Sequence, residues 1–123
     1  MPMEIRYKGL QYDLPAVVTE KAQKKLLSLT KYLGKDANLA RAYVELGRET
    51  TAHQSGRIWV ARINFSTRGT LYRAEALEES IENAIDTATA ELGKELRRAK
   101  KKNENLFRKG GLMLKSLNRD LAR

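Results

Sequence analysis

The 123-residue chain contains no cysteine, which excludes disulfides, thiolate zinc sites and a cysteine nucleophile. Its one histidine, His53, lies in the polar stretch Thr50 to Gly56 with no cysteine to share a metal, so no metal site is expected. No apolar run approaches the roughly 18 residues that a membrane span requires. The start of the chain, Met1-Pro2-Met3-Glu4-Ile5-Arg6, lacks the charged-then-apolar order of a signal peptide, and a cytoplasmic protein is expected. A Gly-rich phosphate loop, a G-x-S-x-G elbow and a dinucleotide fingerprint are all missing, which removes support for a nucleotide cofactor or a serine nucleophile. The carboxylates Glu78, Glu79, Glu82 and Asp86 cluster at a helix start, where they favour the positive end of the macrodipole, a better reading than an acid–base pair. No cofactor is expected, and the chain does not read as an enzyme.

What the sequence has is positive charge, unevenly spread. The formal net charge is +9, from 24 Lys and Arg against 15 Asp and Glu. Residues 1–93 hold 13 basic and 12 acidic side chains, whereas residues 94–123 hold 11 basic and 3 acidic ones. Nearly all the excess therefore sits in the last quarter, where it creates a local potential that collects polyanions. Nucleic acid and anionic membrane are the candidates.

The hydrophobic periodicity gives one domain in residues 1–102, followed by a basic tail, 103–123, expected as disordered or a short helix. Met3, Ile5 and Tyr7 alternate with Glu4, Arg6 and Lys8, the period of a half-buried strand. Asp13 is placed to cap a helix with Pro15 in its first turn and Val18, Ala22, Leu26, Leu29 and Leu33 on its apolar face, ended by Gly34. Ala40 to Arg48 alternates again, with Ala42, Val44 and Leu46 on one face. Ile58 to Phe65 is rich in β-branched and aromatic residues, with Trp59, Ala61, Ile63 and Phe65 as its core face. Arg68-Gly69 turns the chain into a short strand, Leu71 to Glu75. From Ser80, the residues Ile81, Ala84, Ile85, Ala88, Leu92, Leu96 and Ala99 form one helical stripe. The fold predicted is α+β, in the order β-α-β-β-β-α, with two helices on one face of a four-stranded sheet.

Ten cations are candidate RNA ligands: Lys21, Lys24, Lys25 and Lys31 in the first helix, and Lys94, Arg97, Arg98, Lys100, Lys101 and Lys102 in the last. The cations from 97 to 102 repel one another more than a dipole benefit of about 0.3–1 kcal/mol per charge offsets, so an anionic partner is expected. Two helices on one sheet face would join both sets into a basic platform, suited to the phosphate backbone of structured RNA. Membrane binding fits less well, because the apolar stripe is used for the core and the polar face offers no Trp or Phe.

Three stretches in order resemble a known family. They are Lys25-Leu26 through Leu29, Lys31 and Leu33; Arg73-Ala74-Glu75-Ala76 leading to Ala84-Ile85-Asp86; and Leu92-Gly93-Lys94-Glu95-Leu96-Arg97-Arg98-Ala99-Lys100-Lys101-Lys102. Over about residues 3–102 the chain resembles the ribosome hibernation-promoting factors, also called ribosome-associated inhibitor A. The resemblance implies a double-stranded-RNA-binding-like fold that occupies the small ribosomal subunit between head and body. There it would overlap the messenger and the A- and P-site transfer RNAs and inhibit translation under stress, as a monomer off the ribosome and without a small-molecule substrate. It also implies that Lys25, Lys31, Arg97, Arg98, Lys100 and Lys101 contact ribosomal RNA phosphates. Ser28 departs from a usual lysine, Glu82 from a usual tyrosine and Ser80 from a usual aspartate, although Ser80 can still cap a helix. Beside the family pattern the chain reads as a single-domain form with a C-terminal tail, lacking the dimerising domain of long members.

Two other readings are open at the level of sequence. Leu112, Leu114, Leu117 and Leu121 could dock a protein partner while the charges serve solubility. The basic face could also belong to a general RNA chaperone.

Overall fold

The alternating N-terminal stretch forms an edge strand, β1 (Glu4–Leu10), with Ile5 and Tyr7 half-buried and Glu4, Arg6 and Lys8 exposed. It pairs in parallel with β2 (Arg41–Arg48), Tyr7 lying opposite Val44. Parallel neighbours need a crossover, and helix α1 (Ala16–Ser28) supplies it. Strand β3 (Trp59–Thr67) runs antiparallel to β2, and β4 (Thr70–Glu78) antiparallel to β3, so the sheet order is β1-β2-β3-β4. The β3–β4 hairpin closes through Arg68 and Gly69 at φ 51° and 76°, the left-handed pair that matches strand twist in a two-residue turn. The last helix, α2 (Ile81–Leu121), returns across the same face as α1. This is the predicted β-α-β-β-β-α arrangement. The computed structural model describes residues 3–49 and 58–121, with side chains in those ranges except at 103 and beyond 105. His53 and its polar stretch, and the side chains of Leu112, Leu114, Leu117 and Leu121, lie outside what is described.

One core holds the layers together. Val18, Ala22 and Leu26 from α1 and Ile81, Ala84, Ile85, Ala88, Leu92 and Leu96 from α2 meet Ala42, Val44, Leu46, Ala61, Ile63 and Phe65 from the sheet. Leu26, Leu46, Phe65 and Leu92 are completely buried, each contributing about 1.5–3 kcal/mol by leaving water. Thr89, a buried polar residue in α2, is satisfied internally: its hydroxyl donates to the Ile85 carbonyl at 2.7 Å.

The start of α2 is built by Ser80, whose Oγ accepts a hydrogen bond from the Asn83 amide at 3.1 Å. Ser80→Ala is expected to cost about 0.5–2 kcal/mol, read as a lower denaturant midpoint with an unchanged slope.

The structure departs from the sequence reading at four element boundaries. Asp13 does not cap α1; Pro15 occupies the cap position without a side-chain bond, its carbonyl accepting from the amides of Val18 and Thr19 at 2.9 and 3.2 Å. The first helix ends as an α-helix at Ser28 and tightens into two 3₁₀ turns, Leu29–Tyr32 and Gly34–Leu39, with Leu33 between them and Gly34 at φ 57° opening the second. Strand β4 continues three residues beyond Glu75, because Ala76 pairs opposite Ala61 and extends the buried face. The last helix does not stop near 102 but continues through Gly110-Gly111 to Leu121. Two glycines disfavour a helix by about 1 kcal/mol each, and the leucines, lysines and arginines on either side of them are good helix formers.

Candidate nucleic-acid interface

Helices α1 and α2 lie side by side and run the same way. Lys21 and Lys25 of α1 both reach Asp86 of α2, with Nζ to Oδ1 distances of 3.4 and 3.3 Å. Further along, a Cβ at Gly93 would lie 3.2 Å from the Leu29 side chain just past the end of α1. Early residues therefore meet early residues and later ones meet later ones. A side chain at 93 would require the end of Leu29 to give by a few tenths of an ångström, so glycine suits this close approach.

This direction brings Lys31 to the flank of α2 that carries the basic cluster. Rotation of 100° per residue puts Arg97 and Lys100 on the α1-facing side with Asp86 and Gly93, and Lys94 and Lys101 on the outward side. The same rotation turns Arg98 and Lys102, one turn apart, to the opposite flank, away from α1. All ten candidate cations are exposed except Lys21, which is half-buried. The structure thus joins eight of them along one two-helix surface and leaves Arg98 and Lys102 at its margin. Ser28, at the outer rim of α1 beside Lys24 and Lys25, donates its hydroxyl to the Lys25 carbonyl at 2.6 Å.

Electrostatically the two faces of the domain differ. On the open face of the sheet, Arg6 and Arg41 share Glu4 at 3.0 and 3.8 Å, and Arg62 is bonded to Glu49 and lies 3.4 Å from Glu75. On the helical face, Lys94 lies 3.8 Å from Glu91 and Lys100 3.8 Å from Glu104, contacts worth little in solvent. Arg97, Arg98 and Lys101 reach no carboxylate among the described residues. Because α2 extends to Leu121, these cations sit mid-helix. The dipole benefit fades within the last turn, so it does not explain why they are there.

Sequence reasoning missed the coupling through Asp86, whose carboxylate looked like an ordinary early-helix acid. The signal available was its spacing, one turn after Glu82 on the flank that α1 covers. Asp86→Asn is expected to release Lys21 and Lys25 and strengthen RNA binding about two- to fivefold, the energy of an exposed ion pair. Its melting temperature should fall by a few degrees. Weaker RNA binding by this variant would show that the clamp orders the lysines for their ligand.

Among the described residues, no group of three or more His, Cys, Asp or Glu could hold a metal ion, and no helix is long and apolar enough to cross a membrane.

Residues 5–104 match the family described as sigma 54 modulation protein / S30EA ribosomal protein. Among solved structures, the N-terminal domain of Protein Y from Thermus thermophilus superposes with a TM-score of 0.64 at 22% identity, covering 80% of this chain and 98% of that one. A ribosomal subunit interface protein from Coxiella burnetii gives a TM-score of 0.66 at 16% identity, again over 80% of this chain and 98% of its own. At these identities the superpositions show a shared fold. The comparison with curated proteins gives no match.

Proposed function

This chain belongs to the sigma 54 modulation protein / S30EA ribosomal protein family, and on that premise we propose that it idles ribosomes by seating its two-helix basic surface on small-subunit RNA. The observation that carries the reading is the basic run in the middle of α2, where Arg97, Arg98 and Lys101 reach no carboxylate among the described residues, beside the end of α1. A surface with basic side chains on two parallel helices suits the irregular backbone of folded RNA, which is recognised mainly by shape.

The seat proposed is the channel between head and body, where messenger and the A- and P-site transfer RNAs pass. Two features favour this seat: the resemblance of the three sequence stretches and the match to a family of ribosome-binding factors. The mechanism is occlusion. The protein makes and breaks no bond; it fills space that the decoding substrates need, and it leaves when a competitor or a change in ionic conditions removes its phosphate contacts. It acts in the cytoplasm as a monomer, its basic surface supplied by residues 21–102, with Arg98 and Lys102 as marginal contacts.

Purified protein should sediment with small subunits and, at saturation, prevent initiator transfer RNA from binding. Initiation complexes forming at the normal level under those conditions would sink the proposal. A chain lacking residues 103–123 should still bind the ribosome if the surface on 21–102 is sufficient. Loss of ribosome binding on that deletion would move the interface to the C-terminal segment.

A further inference from the structure

We propose that the groove beside the basic surface takes one unpaired nucleotide of the bound RNA, its base against Tyr72 and its phosphate on Lys35 and Lys100. This rests on the RNA-binding function proposed above and adds a site to it.

The groove is a cavity of about 590 Å³ between the 3₁₀ turns after α1, the β3–β4 hairpin and the middle of α2, a size in the range that holds small organic ligands. Its floor is apolar: Leu33 and Leu96 are 7% and 3% exposed. Tyr32 and Tyr72 line it, both partly buried against the core. The Tyr32 ring already carries Lys31, with Nζ 5.2 Å from the ring centroid, which leaves Tyr72 as the ring for a ligand. The rim is cationic. Lys35, Arg68 and Lys100 border it against Asp36 and Glu104; Arg68 is bonded to Asp36 and Lys100 lies 3.8 Å from Glu104. Lys35 has no ion pair among the described residues.

An apolar floor, an available aromatic ring and a cationic rim match a nucleobase with its phosphate, since every base has a π-face that stacks on an aromatic side chain. Thr67 adds a second indication. It lines the groove, is 7% exposed, and its buried hydroxyl has no hydrogen-bond partner among the described residues. Burial without a partner is unfavourable for a hydroxyl, and a base edge offers both donors and acceptors. Lys100 belongs to the groove and to the basic surface alike, so a strand held by Arg97 and Lys100 passes the groove mouth.

The test compares wild type, Tyr72→Phe and Tyr72→Leu bound to small subunits, with base-specific chemical modification and hydroxyl-radical cleavage of the ribosomal RNA. Tyr72→Leu retains apolar volume against the core, and its melting temperature is measured alongside to confirm folding. Wild type and Tyr72→Phe should protect one unpaired base, whereas Tyr72→Leu should lose that protection and bind about 5- to 150-fold more weakly. Backbone protection should persist for all three at saturation. Equal base reactivity with wild type and the leucine variant, over an intact backbone footprint, would overturn the groove alone. No backbone footprint from the wild type would overturn the RNA-binding function and the groove with it. Millimolar AMP, CMP, GMP or UMP that removed base protection while leaving the backbone footprint would assign the groove to a free nucleotide, against the proposal.

Discussion

Replacing Arg97, Arg98, Lys100 and Lys101 together by alanine is expected to flatten the log–log salt dependence of small-subunit binding by about 2.8–3.6, at ~0.7–0.9 for each phosphate that is no longer neutralised. Between about 50 and 200 mM salt, four phosphate interactions weaken wild-type binding by roughly 50- to 150-fold, and the variant should lack that share of the decline. All four side chains are exposed, and alanine is the best helix former. The fold should survive, and circular dichroism should be unchanged. Titration across salt concentrations separates this outcome from a general loss of affinity: a solvated, non-binding face would leave the slope as it was.

The second large effect is on the sheet that supports the helices. Phe65→Ala should lower the free energy of unfolding by about 3–5 kcal/mol, the transfer energy of the ring plus the cavity it leaves. Phe65 has no exposed surface and sits on β3 between Ala42 of β2 and Tyr72 of β4, beneath the helical layer. Alanine on one side cannot fill the space, and the other neighbours are fixed in strands. The loss is a large part of the 5–15 kcal/mol that a domain of about this size has to spare. Denaturant unfolding followed through the single tryptophan, Trp59 at the start of β3, measures it. A change below about 1 kcal/mol would mean that the core closes around the cavity.

Much of this architecture was legible from periodicity alone. The alternation at Ala42, Val44 and Leu46, and at Ala61, Ile63 and Phe65, identifies the buried sheet face, and all six residues are buried. The stripe from Ile81 to Leu96 likewise identifies the buried face of α2. Local chemistry was read correctly at Ser80 and at Arg68-Gly69, where the required geometry is confined to a few neighbouring residues. Boundaries set by longer-range balance were not legible. Asp13 has the chemistry of a cap, yet the chain enters the helix two residues later at Pro15. Gly110-Gly111 has the composition of a break, yet the helix continues.

The ten cations could be named from sequence, but their partners could not. Lys21 and Lys25 are 65 and 61 positions from Asp86, and only the parallel packing of the helices brings them together. The groove was invisible for the same reason: Tyr72, Leu33 and Leu96 come from three separate elements. Val60, fully buried on the opposite face of β3 from Phe65, was also missed, since a strand with apolar residues on both faces has no alternation to read.

The most direct measurement is a density map of the small ribosomal subunit with this protein bound. Density is expected in the channel between head and body, with the middle of α2 and the end of α1 turned toward ribosomal RNA and the open sheet face turned away. Density outside that channel, or a pose with the sheet against the RNA and the helices in solvent, would contradict it.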